Sequence, residues 1–203
     1  MTKIKTAEQL RQIYKPPKGR AVEKVINRFE THSRNFVAHS PFLIIGSVRK
    51  DGIGDVSPRG EEPGFVKIID DTTLAIPDRP GNNRLDTLTN ILECPAVGLI
   101  FLIPGVNETL RINGTAEVRD DDDLRQLFIV RERLPATVML VKVNEIYLHC
   151  AKAIMRSKLW DEGAKIERSQ LPTMGQMIKD QINADTPAET QAEMVERYKQ
   201  VLY

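Results

Sequence analysis

The chain reads as a mainly β protein, an antiparallel sheet or barrel with flanking helices, and three observations predict it. Residues 109–118 alternate: Leu110, Ile112, Ala116 and Val118 fall on one face, and Thr109, Arg111, Asn113, Thr115 and Glu117 on the other, the period of a strand with one side in a core. Asp51-Gly52, between two stretches of strand character, is a strong hairpin turn signal. Several strand-like stretches are joined by short turns with few helices between them, which favours antiparallel pairing over βαβ units.

In order along the chain, Thr6-Ala7-Glu8-Gln9 has the form of a capping box and opens a short helix that must stop before Pro16-Pro17. From Ala21 a second helix is expected, with Val22, Val25, Ile26 and Phe29 at i, i+3, i+4 and i+7. The period then changes. Strands are expected at Phe42–Val48, Ile53–Ser57, Phe65–Ile69 and Thr73–Ile76. A helix from Arg84 to about Glu93 presents Leu85, Leu88, Ile91 and Leu92, and a buried strand covers Val97–Ile103 before the Pro104-Gly105 turn. After the alternating strand, Asp120 caps a helix over about Asp122–Val130, and Thr137–Tyr147 is the last long strand. The tail is helical: Ala151–Leu159, a helix after Pro172 with Met174, Met177, Ile178 and Ile182 on one face, and a last helix opened by a Thr186-Pro187-Ala188-Glu189 box whose stripe is Met194, Val195, Tyr198, Val201 and Leu202. These stripes read as packing surface, some of it for a partner subunit, which the six Met of the chain suit. One domain of 203 residues follows, with N-terminal helices over 1–33, a core over 34–160 and a helical extension over 161–203.

Composition excludes several classes. A net charge of +1 gives no electrostatic case for nucleic acid or an anionic membrane. Cys94 and Cys150 lie far apart without CxxC spacing and read as free thiols of a reducing compartment. The N-terminus is too polar for a signal peptide, and the longest apolar run, Val97 to Ile103, is far short of a membrane span. The expectation is a cytoplasmic protein. His32, His39 and His149 show no metal-ligand spacing, and no GxSxG, phosphate-loop or GxGxxG motif is present. No nucleophile stands out, so the catalytic residues stay unassigned and an enzymatic reaction would be carried by a cofactor.

Three polar clusters hold the candidate chemistry. The first is Ser57-Pro58-Arg59-Gly60 at a strand end. The second is Ile76-Pro77-Asp78-Arg79-Pro80-Gly81-Asn82-Asn83-Arg84, a strand-to-helix turn. An Asn at the helix start, free N–H groups and two Arg make this a seat for a phosphate; a capped loop with solvated Arg side chains is the plainer reading. The third runs from His149 to Trp160, where Lys152 and Arg156 at i and i+4 project from one helix face beside an aromatic ring. That arrangement suits an anionic planar ligand, and equally a solvated basic helix with a buried Trp.

In this order the clusters resemble the pyridoxamine 5′-phosphate oxidase-like flavoproteins, the FMN-binding split barrels. The resemblance covers about Arg34 to Trp160 and is carried by residues 55–60, 76–84, 108–114 and 149–153. It implies a homodimer of six-stranded antiparallel split β-barrels, with FMN in each of two clefts at the subunit interface. Carried over by position, Arg59 lies near the FMN phosphate; Asn83 and Arg84 grip that phosphate, with Asn82 beside them; Ile76, Pro77 and Asp78 lie along the flavin ring. Thr109 and Arg111 fall on the strand supplied by the neighbouring subunit. One of the family's two phosphate-binding bases is replaced here by Asn83, for which Arg79 is expected to compensate. The Arg-Leu-x-Pro substrate segment of the true oxidases is absent from the helical C-terminus, Met194 to Tyr203. The resemblance thus points to an FMN-dependent oxidoreductase that takes a hydride from a small-molecule substrate or nicotinamide donor, with His149, Lys152, Arg156 and Trp160 as candidates for substrate contact or flavin tuning. The alternatives are a flavin carrier without turnover, or a relative using deazaflavin or haem, the latter with His39 or His149 as axial ligand.

Overall fold

The computed structural model describes residues 3–201. Leu202 and Tyr203, assigned above to the last helix, lie outside the described residues. All seven stretches of strand character form strands: β1 (Phe42–Val48), β2 (Gly54–Gly60), β3 (Lys67–Asp70), β4 (Thr73–Asp78), β5 (Ala96–Leu102), β6 (Thr109–Arg119) and β7 (Thr137–His149). They make one antiparallel sheet in the order β2-β1-β5-β6-β7-β4-β3. The count is thus seven rather than six, the seventh being the four-residue edge strand β3. Among the described residues no helix is long and apolar enough to cross a membrane.

Alternation builds the core. Leu43 and Ile45 of β1, Val97, Leu99 and Phe101 of β5, and Leu110, Ile112 and Ala116 of β6 all point inward and are buried, while Thr115 and Glu117 stay exposed. Beside them, Met139, Val141, Val143 and Ile146 of β7 complete the inner face. The step from Val143 to Ile146 breaks the period of two because the β6–β7 register shifts between Asn113 and Gly114. The extra residue re-phases the strand so that both halves face the same core. At that shift a Cβ on Gly114 would fall on the Lys142 carbonyl.

Several helices depart from expectation, each for a local reason. The helix expected from Ala21 is a single turn, α2 (Arg20–Glu23). The Ile26 backbone instead exchanges two hydrogen bonds with Ile146, at 3.1 and 2.7 Å, and Phe29 enters the core. A nine-residue helix not anticipated, α3 (Thr31–His39), follows; Glu30 accepts from the Ser33 N–H, and Ser33 Oγ accepts from the Glu30 N–H. The helix α4 (Asp86–Glu93) starts two residues late, at a Leu85 with φ 58°. Asp121 rather than Asp120 precedes α5 (Asp122–Gln126), which ends early because the chain turns back at Arg131 and Glu132, both with positive φ. Next, α6 (Lys152–Ser157) stops at a left-handed Lys158. In the tail, α7 (Met174–Ile182) starts where expected, after Thr173. The last helix, α8 (Gln191–Val201), does not start at the Thr186 box. Thr190 and Glu193 form the reciprocal cap, while the Glu189 carboxylate is taken by Arg197. At the other end of the chain α1 (Ala7–Ile13) begins at Thr6, whose hydroxyl accepts from Gln9 N.

Gly114→Ala is expected to destabilise the protein by about 1–3 kcal/mol or more through overpacking. Urea unfolding of the variant checks it, and an unchanged midpoint would show that the β6–β7 bulge opens without cost.

Candidate functional site

The β2 strand and the segment from β4 into α4 face each other across a cleft of about 730 Å³, lined by residues 55–61 and 77–88 with Phe65 and Ala136. Two of the three sequence clusters therefore meet here. They meet because β4 ends at Asp78, paired with Thr137 at the start of β7, and β2 ends at Gly60, paired with Phe42.

Arg59 is the central cation. Its side chain is 19% exposed and stands 3.8 Å from an Asp78 carboxylate that is 18% exposed. Nη1 donates to Ser57 Oγ at 2.5 Å and to the Pro58 carbonyl at 2.9 Å. Nε is buried and has no hydrogen-bond partner. Nη2, 3.8 Å from the Asp78 carboxylate, makes no hydrogen bond and is the guanidinium donor left for an oxyanion. Burial pushes the Asp78 carboxyl above the usual carboxylate range, and the Arg59 guanidinium opposes that rise.

The other two Arg residues differ from Arg59. Arg79 is 13% exposed and clasps Glu61 through two bonds, 2.9 and 3.1 Å, with a third from Nη2 to the Phe128 carbonyl at 2.8 Å. Its charge, expected to make up for Asn83, is here matched by a carboxylate that is 9% exposed. It joins the end of β2, the start of the loop and the residues after α5. Arg84 is 71% exposed, bonds Asp86 through Nε at 2.7 Å and is among the residues that line the cleft. Asn82 Oδ1 accepts from the Arg84 N–H at 3.1 Å, a turn inside the loop. Neither Asn82 nor Asn83 caps the helix: Asn83 and Leu85 both have φ 58° and α4 has no side-chain cap. Pro77 and Asp78 line the cleft, whereas the Ile76 side chain is fully buried in the core.

The third cluster lies elsewhere in the chain. Thr109 pairs with His149, at the opposite end of β7 from Thr137, and twelve residues of strand separate the ends by roughly 40 Å along its path. Thr109 is buried, and its Oγ1 has no hydrogen-bond partner. Arg111 lies 5.3 Å from the Tyr147 ring centroid and Lys24 Nζ 5.4 Å from it. Lys152 and Arg156 are exposed. Trp160 donates from Nε1 to the Val106 carbonyl at 2.9 Å, which ties α6 to the turn before β6. The chain by itself does not bring Thr109, Arg111, His149, Lys152, Arg156 or Trp160 to the cleft. His39, at the end of α3, bonds the Asn35 carbonyl at 2.9 Å and does not line the cleft. Sequence reasoning missed Glu61, the partner of Arg79, and Thr137, whose buried Oγ1 has no partner beside Asp78 in the sheet. Glu61 directly follows a quoted motif; Thr137 carried no signal.

The fold is that of a split-barrel protein, with a groove against its sheet lined by Arg59, Arg79 and Arg84. Residues 29–150, more than half of the chain, match the family model described as pyridoxamine 5′-phosphate oxidase, and the protein belongs to that family, which contains oxidoreductases. Two crystal structures of HupZ from Group A Streptococcus match with a TM-score of 0.50: one is 17% identical and covers 59% of this chain and 94% of its own, and an alanine variant is 16% identical, with 59% and 98% covered. These matches show the fold. A candidate pyridoxamine 5′-phosphate oxidase from Lactobacillus delbrueckii has a TM-score of 0.48 at 20% identity, covering 60% and 95%. No curated protein matches the chain.

Burial, Arg111 and Lys24 together hold the His149 imidazole below its usual range. A depressed folded pKa means stability present above the unfolded value and lost as pH falls through the folded one. His149 is therefore expected to titrate below 6.5 in a two-dimensional NMR titration, and to move upward in Lys24→Ala and in Arg111→Ala. A midpoint that neither variant moves would remove the two cations as its cause.

Proposed function

We propose that the protein binds FMN in the cleft between β2 and the β4–α4 loop, as a homodimer with two such sites, and acts as an oxidoreductase on a small molecule. The observation that carries this reading is the Arg59 guanidinium in the cleft wall, whose Nη2 stands 3.8 Å from Asp78 and makes no hydrogen bond. A terminal phosphate is the acceptor that Nη2 would take, with Arg84, which lines the same cleft, beside it. The family match supports the choice of FMN among phosphate-bearing ligands. Pro77 and Asp78 then form the wall beside the ring, and the Arg79–Glu61 clasp keeps that wall in place. When bound, the flavin supplies hydride acceptance, and the chain's residues position it and exclude water. What supports the homodimer is Arg111, at the far end of β7, which reaches a cleft only through a second copy; Thr109, expected beside it, is buried in its own chain. His149, Lys152 and Arg156 enter the same way and contact an anionic substrate or donor.

The first test is an absorption spectrum of the purified protein with mass identification of any released compound. Flavin bands with released FMN are expected, as is bleaching by NADH or NADPH. A protein that is colourless and takes up no added FMN overturns the reading; bound FMN that no donor reduces makes it a flavin carrier. Arg59→Ala is expected to weaken FMN binding about tenfold to a hundredfold, since a hydrogen bond to a charged group contributes ~1.5–3 kcal/mol. Asp78→Asn removes the carboxylate that competes for Arg59 and keeps the backbone. It is expected to tighten FMN binding at neutral pH, and to abolish the tightening that protonation of Asp78 produces in the wild type as pH falls. Titration of flavin fluorescence measures both.

A further inference from the structure

Both ends of the described chain carry amphipathic helices whose apolar faces are not packed on the barrel; the N-terminal arm touches it only at its root, where Lys24 Nζ donates to the Leu148 carbonyl and the Ile26 backbone pairs with Ile146. Every described residue from Lys3 to Arg28 is exposed, and none from Ala151 to Gln200 is buried. In α1, Leu10, Ile13 and Tyr14 stand at i, i+3 and i+4, one exposed apolar face on a helix with its own cap. At the other end, α7 and α8 form a hairpin with tertiary bonds of its own. Thr173 Oγ1 donates to the Glu189 carbonyl at 3.3 Å, Arg197 clasps the Glu189 carboxylate, and a Cβ on Gly175 would collide with the Glu189 backbone. The hairpin nonetheless leaves Met174, Ile178 and Ile182 of α7, and Val195 and Tyr198 of α8, exposed.

The two ends carry opposite charge. Residues 3–28 hold eight Lys or Arg against two Glu, and none of those cations is in a salt bridge among the described residues. Residues 161–203 hold eight Asp or Glu against five Lys or Arg. Three of those five are neutralised locally, in the Lys165–Glu162, Arg197–Glu189 and Lys199–Glu196 pairs. Among the described residues no hydrogen bond or ion pair joins the two ends within one chain. The helix α1 holds one Glu and one Arg, but the arm around it is basic; a basic arm with an apolar stripe and an acidic hairpin with an apolar face match in both charge and hydropathy.

We propose that the N-terminal arm of one copy, residues 3–25, docks through its Leu10–Ile13–Tyr14 face on the α7–α8 hairpin of a second copy. This inference rests on the homodimer proposed above. The exchange explains why α1 and the α7–α8 hairpin form while their apolar faces stay exposed within one chain. It also makes the arms a clamp outside the flavin clefts, so that they secure the dimer without contributing to the cofactor's phosphate site.

The test is disulfide trapping in full-length protein. Ile13→Cys and Ile178→Cys are made separately in a Cys150→Ser background, mixed and oxidised. A covalent dimer that forms in the mixture, above the level of either variant alone, is expected. In parallel, Lys15→Glu with Lys18→Glu is expected to raise the dimer dissociation constant about tenfold by light scattering, with recovery on adding Asp180→Lys and Asp185→Lys. A flavin-binding dimer that gives no mixed disulfide and ignores the charge changes overturns the arm exchange and leaves the dimeric FMN reading standing. An Ile13→Cys/Ile178→Cys double variant that closes only within one chain overturns it too. A wild-type protein that is monomeric at every concentration overturns both.

Discussion

Both edges of β7 are occupied. It pairs with β6 at eleven positions and with β4 at six. A one-residue slip would turn Met139, Val141 and Ile146 out of the core on one side and misplace Asp78 on the other, so the register of this strand fixes everything around it. Gly114 permits that register: without it the Lys142 backbone has no room, and the bulge that keeps both halves of β7 facing one core is lost. The cleft end and the His149 end of the molecule are thereby held at a constant separation, set by one strand.

The cleft then divides its charges by task. Glu61 and Arg79 neutralise each other in the wall and fix the direction in which the chain leaves β4. Arg84 is tethered by Asp86 at the surface. Arg59 is half-buried, loosely opposed by Asp78, and retains donor capacity at Nη2. A wall held by a complete ion pair, with an incompletely satisfied cation in front of it, is stable without ligand and gains by taking an anion. Leu85, in a conformation that a branched side chain adopts at a cost, turns the chain sharply between loop and helix and makes the cleft's other lip.

The strands were legible because their signals are short-range: alternation in β6, the Asp51-Gly52 turn, and Pro41 ahead of β1 all act within a few residues. The central loop was also legible as a unit, since the residues with which it lines the cleft are adjacent in sequence. What was not legible depended on partners far along the chain. Arg79 looks like Arg84 until Glu61 is seen beside it. Val25, Ile26 and Phe29 have helical spacing, but a backbone pairing with Ile146 pulls this stretch away from a helix. The α3 cap has its acid first and its serine last, the reverse of the pattern sought. The Thr186 box failed because Glu189 already had Arg197, and an identical pattern four residues later was open.

Pro58 sits in the middle of β2, and β2 pairs with β1 alone. A sheet edge with free backbone donors and acceptors is a template for any extended chain that approaches it, and many proteins guard such edges with charge or a covering helix. Here the guard is an imino acid that lacks the donor a pairing strand requires, placed one residue before the arginine that faces the cleft. At Pro58 an approaching strand therefore finds no donor with which to continue the sheet. The barrel keeps an exposed working edge at little risk of cross-linking to its neighbours into fibres.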